Sequence, residues 1–122
     1  MLASHRLKAF LPTTNPARSL TFFRDTLGLT LLSQDDFALE FEAGGCHLRV
    51  TTVQKLNPQP FTVAGWDVQG IEGVIEALVV KGVVFERYGF AAQDSLGIWV
   101  APGGTKVAWF KDPDGNVLSL SE

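Results

Sequence analysis

Apolar and polar positions change rhythm several times along the chain, and the changes divide it into short elements. Residues 7–14 read as a strand ending in Thr13-Thr14. Asn15-Pro16 then marks a helix start, because an Asn side chain accepts from the orphan N–H groups of the first turn and Pro suits the first helical position. Ala17, Leu20, Phe23 and Leu27 recur near helical spacing, and Gly28 ends the run where a left-handed residue is wanted. The short apolar run 29–33 precedes a turn at Gln34-Asp35-Asp36. Phe37, Leu39 and Phe41 alternate with Ala38, Glu40 and Glu42, the signature of a strand with one buried face. Gly44-Gly45 predicts a hairpin turn, after which Cys46, Leu48 and Val50 alternate with His47, Arg49 and Thr51.

Residues 53–60 carry two prolines and form the one plausible internal linker. Beyond it the pattern restarts. A strand is predicted over 61–68, and Ile71, Val74, Ile75, Leu78 and Val79 make a helical stripe that Gly82 ends. A short strand follows at Val83 and Phe85, then a looser loop over 88–96. Residues 97–101 and 105–111 form a hairpin, Asp112-Pro113-Asp114-Gly115 is a dense turn signal, and 116–121 is the last strand. The helix stops Gly28 and Gly82 lie 54 positions apart, an offset that also sets Leu20 on Val74 and Leu31 on Phe85. The chain therefore reads as two copies of one βαβββ module, residues 5–52 and 61–122. The class is α+β, with curved antiparallel or mixed sheets around a cleft and the helices outside.

Composition narrows the function classes. The 122 residues fit one domain, and 46% apolar residues exclude intrinsic disorder. A net charge of −3 without a basic patch disfavours nucleic acid, and no apolar run approaches the ~20 residues of a membrane span. The N-terminal residues lack a signal-peptide layout. A single cysteine, Cys46, allows no internal disulfide, so a cytoplasmic setting is expected. His47, its neighbour, points to the opposite strand face and leaves Cys46 without a base.

The stretch Ser19-Leu20-Thr21-Phe22-Phe23-Arg24-Asp25-Thr26-Leu27-Gly28-Leu29 is similar to the "alxFYrdvLGl" pattern of the vicinal oxygen chelate superfamily, and Phe110-Lys111-Asp112-Pro113-Asp114-Gly115-Asn116 to its "fxDPdGN". With the internal repeat, the chain resembles this superfamily (glyoxalase I, bleomycin- and fosfomycin-resistance proteins, extradiol dioxygenases) over nearly its whole length. The resemblance implies a cleft in which enzymatic members hold a divalent metal through His, Gln or Glu. In this chain the corresponding positions fall on Lys8, Arg49, Val63 (or Thr62) and Ser119. Two cations, an alkyl side chain and a hydroxyl are poor ligands. No metal and no cofactor are expected, and no catalytic residue is assigned. His5, Glu40, Glu42 and His47 are the residues left for rebuilding a metal site, but two ligands on adjacent strands fall short of the three usual in a catalytic site. The blander alternative sets Glu40, Glu42 and His47 on a solvated strand face.

The resemblance then implies a small-molecule-binding protein of the bleomycin-resistance type, a homodimer whose groove a second chain completes. Lys8 and Arg49 favour an anionic ligand, unless Arg49 pairs with Glu40 or Glu42 across the hairpin. Trp66, Trp99 and Trp109 offer a surface for a flat ligand, unless they fill the core. By alternation Trp99 and Trp109 can share one face. The candidate ligand-binding residues are Lys8, Phe10, His47, Arg49, Val63, Trp99, Trp109 and Ser119. The small residues of 88–95 allow either a lid or a passive connector. The competing class is an enzyme, a lyase, transferase or dioxygenase using non-standard metal ligands, or one using Lys8 as acid or base.

Overall fold

A computed structural model describes residues 1–122. It contains two compact units, Met1–Pro58 and Gln59–Glu122. After a short 3-10 turn at Leu2–Ser4, the first unit runs β1 (Lys8–Thr13), α1 (Pro16–Leu20), β2 (Thr30–Gln34), β3 (Ala38–Glu42) and β4 (His47–Thr52). The second runs β5 (Thr62–Asp67), α2 (Ile71–Val80), β6 (Trp99–Val100), β7 (Lys106–Lys111) and β8 (Val117–Ser121). Each unit holds one four-stranded mixed sheet, ordered β1-β4-β3-β2 and β5-β8-β7-β6. In both, the first strand lies parallel to the last and the other pairs are antiparallel. No helix is long and apolar enough to cross a membrane.

Helix α1 begins as its sequence requires. Asn15 Oδ1 accepts from the Arg18 N–H at 3.1 Å, with Pro16 at the first position. The buried Thr13 hydroxyl meets the buried Ser19 hydroxyl at 2.7 Å and accepts from the Asn15 N–H at 3.1 Å, tying the helix to the end of β1. From Thr21 to Thr26 the helix widens to π geometry, and Gly28 closes it at φ +77°. This continuation turns Phe23 wholly inward, its ring 5.8 Å from that of Phe41. With Leu11, Leu39, Leu48 and Val50 these rings form the first core. The alternation of β3 holds for Leu39 and Phe41 but not for Phe37, which is 73% exposed. The Asp35 carboxylate accepts from the Phe37 and Ala38 N–H groups, so Phe37 belongs to the turn and stands outside the pleat.

In the second unit Ile71 and Ile75 are fully buried, as are Ala108, Phe110 and Leu118. The predicted stripe is narrower than expected, since Val79 is exposed. Gly70, at φ +69°, stands at the N-cap of α2 and brings no capping side chain. Glu122 supplies the cap from the far end of the chain, its carboxylate accepting from the Gly70 and Ile71 N–H groups at 2.7 and 3.0 Å. These bonds, to Ile71 above all, hold its carboxyl below the usual carboxylate range. The strand expected at Val83 and Phe85 shrinks to one bridge, Phe85 to Phe110. Trp99–Val100 takes the other end of the same edge of β7, so the fourth strand of this sheet is split by an excursion between Phe85 and Trp99.

Gly65 of β5 lies opposite Ser119 of β8. A Cβ built at Gly65 would sit 2.3 Å from Ser119 Oγ and 3.0 Å from its carbonyl oxygen. G65A is therefore expected to cost about 1–3 kcal/mol in denaturant unfolding through overpacking. S119A in the same chain should restore part of that loss, whereas strictly additive effects of the two substitutions would show that the hydroxyl is not the obstacle.

Candidate functional site

The open face of the first sheet gathers charge around one carboxylate. Register places Lys8 beside His47 and Glu42, and Phe10 beside Arg49 and Glu40. Period-2 alternation keeps these side chains opposite the buried Leu11, Leu39, Leu48 and Val50. Glu40 Oε1 accepts from Lys8 Nζ at 2.9 Å and contacts His47 Nδ1 at 3.1 Å, while Oε2 accepts from Arg49 Nη1 at 3.1 Å. The Glu40 side chain is only 13% exposed, so the solvated-face expectation fails for it: Lys8 and Arg49 cover it. The hydrogen bond from Lys8, with smaller contributions from Arg49 and His47, holds the Glu40 carboxyl below the usual range. Glu42 takes the opposite side of the imidazole, 3.4 Å from His47 Nε2, and accepts from the Gly45 N–H at 2.9 Å. Arg6 also reaches both His47 and Glu42. Phe10 stands largely exposed on the same face.

The open face of the second sheet gathers aromatic rings instead. Trp109 is in register with Ser119, which is in register with Gly65. Trp99 and Trp109 do share a face, with stacked rings 6.0 Å apart and 28° from parallel. The excursion after Phe85 extends the row. Tyr88 meets Trp109 edge-on at 5.3 Å, and Phe90 stacks on Tyr88 at 5.6 Å. A hollow of about 250 Å³ opens beside them, lined by Pro60, Phe61, Thr62, Tyr88, Phe90, Trp109 and Val117. Phe61 and Phe90 are exposed at its mouth. Tyr88 is the only titratable group of the lining, and burial, reinforced by nearby Glu86, raises its phenol above the ordinary value. It stays protonated and able to donate a hydrogen bond. Val63 lies at the register break between Thr62 and Ala64 and is half exposed. Trp66 is in register with Leu120 and Ala108, which places it on the buried face, away from Trp109.

The excursion that carries Tyr88 and Phe90 is braced from within. The Gln93 amide accepts from the Tyr88 N–H at 2.7 Å and donates to the Glu86 and Gly97 carbonyls at 2.9 and 2.8 Å. Asp94 Oδ1 accepts from the Leu96 and Ile98 N–H groups, and Arg87 donates to the carbonyls of Asp94 and Ser95. The segment is a stitched platform for its aromatic rings. Tyr88, Phe90 and Phe61 join the site without having been singled out as ligand-binding from sequence. The signal was two aromatics flanking Gly89 and a third at the start of the module.

The positions that the resemblance sets against the superfamily's metal ligands carry the side chains of Lys8, Arg49, Val63 (or Thr62) and Ser119. An ammonium, a guanidinium, an alkyl group and one hydroxyl do not fit a divalent cation. No three His, Cys, Asp or Glu side chains are grouped to hold an ion. The two nitrogens of His47 face different carboxylates, so Glu40, Glu42 and His47 bridge and do not converge. Asp112 serves the turn before β8. Its carboxylate accepts from the Asp114 and Asn116 N–H groups and from Asn116 Nδ2, and burial raises its pKa.

Because the Glu40 carboxyl is held low, its stabilising contribution is complete above the ordinary Glu range near 4.5 and is lost as pH falls through the depressed value. E40Q is expected to lower Tm at neutral pH and to flatten the acid limb as pH falls below the ordinary Glu range. An acid limb of unchanged slope in E40Q would show that the Glu40 pairs do not contribute.

The family model described as the Glyoxalase/Bleomycin resistance protein/Dioxygenase superfamily matches residues 5–120. No curated protein sequence matches the chain. Among solved structures, a member of the same superfamily from Sphaerobacter thermophilus superposes with a TM-score of 0.77 at 18% identity, covering 100% of this chain and 99% of that one. A bleomycin-binding protein complexed with bleomycin gives 0.75 at 18% identity, with 98% of each chain covered. A lactoylglutathione lyase from Agrobacterium tumefaciens gives 0.75 at 16%, covering 98% of this chain and 93% of that one. Identities this low speak for the fold alone, while the family model spans all but the ends of the sequence. The chain belongs to the glyoxalase/bleomycin resistance protein/dioxygenase superfamily.

Proposed function

We propose that the protein binds a planar aromatic small molecule on the open face of its second sheet, without a metal ion and without turning the ligand over. The observation that carries this reading is the row Phe90, Tyr88, Trp109 and Trp99 beside a hollow of about 250 Å³. Stacking on a preformed aromatic surface needs little reorganisation, and such pairs add about 0.5–1.5 kcal/mol beyond area burial. A hollow of this size takes one or two fused rings, with the Tyr88 and Thr62 hydroxyls to fix their orientation. The other half of the sequence expectation, an anion held by Lys8 and Arg49, finds both donors engaged by Glu40. The bleomycin-binding structure in the same fold supports a binding role.

A thermal-shift screen of planar aromatics should find ligands that raise Tm and quench tryptophan emission. A ligand at 100 times its Kd adds about 2.7 kcal/mol. W109A should lose both responses. Stoichiometric Ni, Zn, Mn or Fe in protein purified without chelator would overturn the metal-free reading in favour of a metal-dependent lyase, transferase or dioxygenase.

The family resemblance also implies a homodimer, and the exposed Leu7 and Phe10 beside and on β1, an outer strand of its sheet, support that reading. Light scattering is expected to give twice the 13.3 kDa chain mass. A monomer at micromolar concentration would overturn it.

A further inference from the structure

Three hydrogen-bond donors on two strands aim at one point of the first sheet's open face. Lys8 comes from β1, and His47 and Arg49 come from β4. Their nitrogens lie 2.9, 3.1 and 3.1 Å from the two oxygens of Glu40. That is the geometry with which proteins hold the oxygens of a carboxylate or phosphate. Lys8 is 44% exposed and Arg49 30%, so solvent reaches the donors, whereas the Glu40 carboxylate is covered by them. Glu42 is partnered elsewhere, by the Gly45 N–H and by the far side of His47.

We propose that Lys8, His47 and Arg49 form an oxyanion seat that the protein fills with its own Glu40 carboxylate, making Glu40 the residue that excludes anionic ligands from this face. A carboxylate fixed on the neighbouring strand competes at very high effective concentration with any free anion, because its cost of immobilisation is already met by folding. A free phosphate would also have to approach the charge of Glu40 itself. The seat therefore discriminates by charge, and it accepts an oxyanion once Glu40 is neutral. This inference concerns the first unit and does not depend on the aromatic reading of the second.

The test is titration of inorganic phosphate into isotope-labelled wild-type, E40Q and E42Q proteins, following the Arg49 side-chain N–H resonances. E40Q should bind phosphate at least about tenfold more tightly than wild type, the effect of roughly 1.4 kcal/mol. E42Q carries the same change in net charge while leaving the seat filled, and should respond as wild type does. R49M added to E40Q should abolish the gain. The proposal is overturned if wild-type Arg49 saturates at the same phosphate concentration as E40Q, or if E42Q gains as much as E40Q. Should E40Q not fold, E40A, which removes the carboxylate and its charge, takes its place with a gain in the same direction expected and no gain overturning the proposal.

Discussion

Parallel pairing of the first strand of each unit with its last is the constraint on which the rest depends. A hairpin can bring Arg49 opposite Glu40 by itself, because β3 and β4 are joined by a tight glycine turn. Only the return of the chain to lay β1 alongside β4 adds Lys8 to that pair, and only β5 alongside β8 sets Gly65 beneath the Ser119 hydroxyl. Parallel neighbours need a long connection between them, and here the helix and two strands of each unit supply it. Each sheet thereby gains a sealed face, packed with Phe, Leu, Ile and Val, and an open face that carries its charged or aromatic side chains.

The two open faces have diverged although the strand orders are the same. The first carries ion pairs centred on a nearly covered carboxylate, and the second carries four aromatic rings in a row. The difference lies in the inner strands, where the Glu40–Arg49 pair of the first sheet stands against the Trp109–Ser119 pair of the second, and in the outer strand. In the first unit β2 runs along β3 with one irregularity between Leu31 and Ser33. In the second the corresponding edge is a single bridge at Phe85 and two residues at Trp99, and the chain between them supplies Tyr88 and Phe90. Net charge and composition average over these two chemistries and reveal neither.

Features set by near neighbours were legible in the sequence. Asn15 and Pro16 start α1, Gly28 and Gly82 stop helices, and the Asp112–Asn116 turn forms by side chains bonding to their own segment. Features set at a distance were not. The cap of α2 comes from Glu122, and nothing at Gly70 announces it. Phe37 looked like part of the β3 alternation until the Asp35 carboxylate claimed its N–H for the turn. The Glu40 cluster was half legible. Alternation put His47 and Glu40 on one side of adjacent strands, but the approach of Lys8 requires a register that no local pattern encodes. The hollow joins Phe61, Tyr88, Trp109 and Val117 from four separate segments, so its residues could be suspected singly and not assembled.

The divided outer strand of the second sheet separates two duties that most strands combine. The rings of Tyr88 and Phe90 are not what hold the Phe85–Trp99 detour in place, because its backbone is braced by the side chains of Gln93, Asp94 and Arg87. Substitutions at Tyr88 or Phe90 can thus reshape the lining of the hollow without disturbing the framework. The second sheet thereby keeps its hydrogen-bonded ladder and its aromatic surface on separate sets of residues.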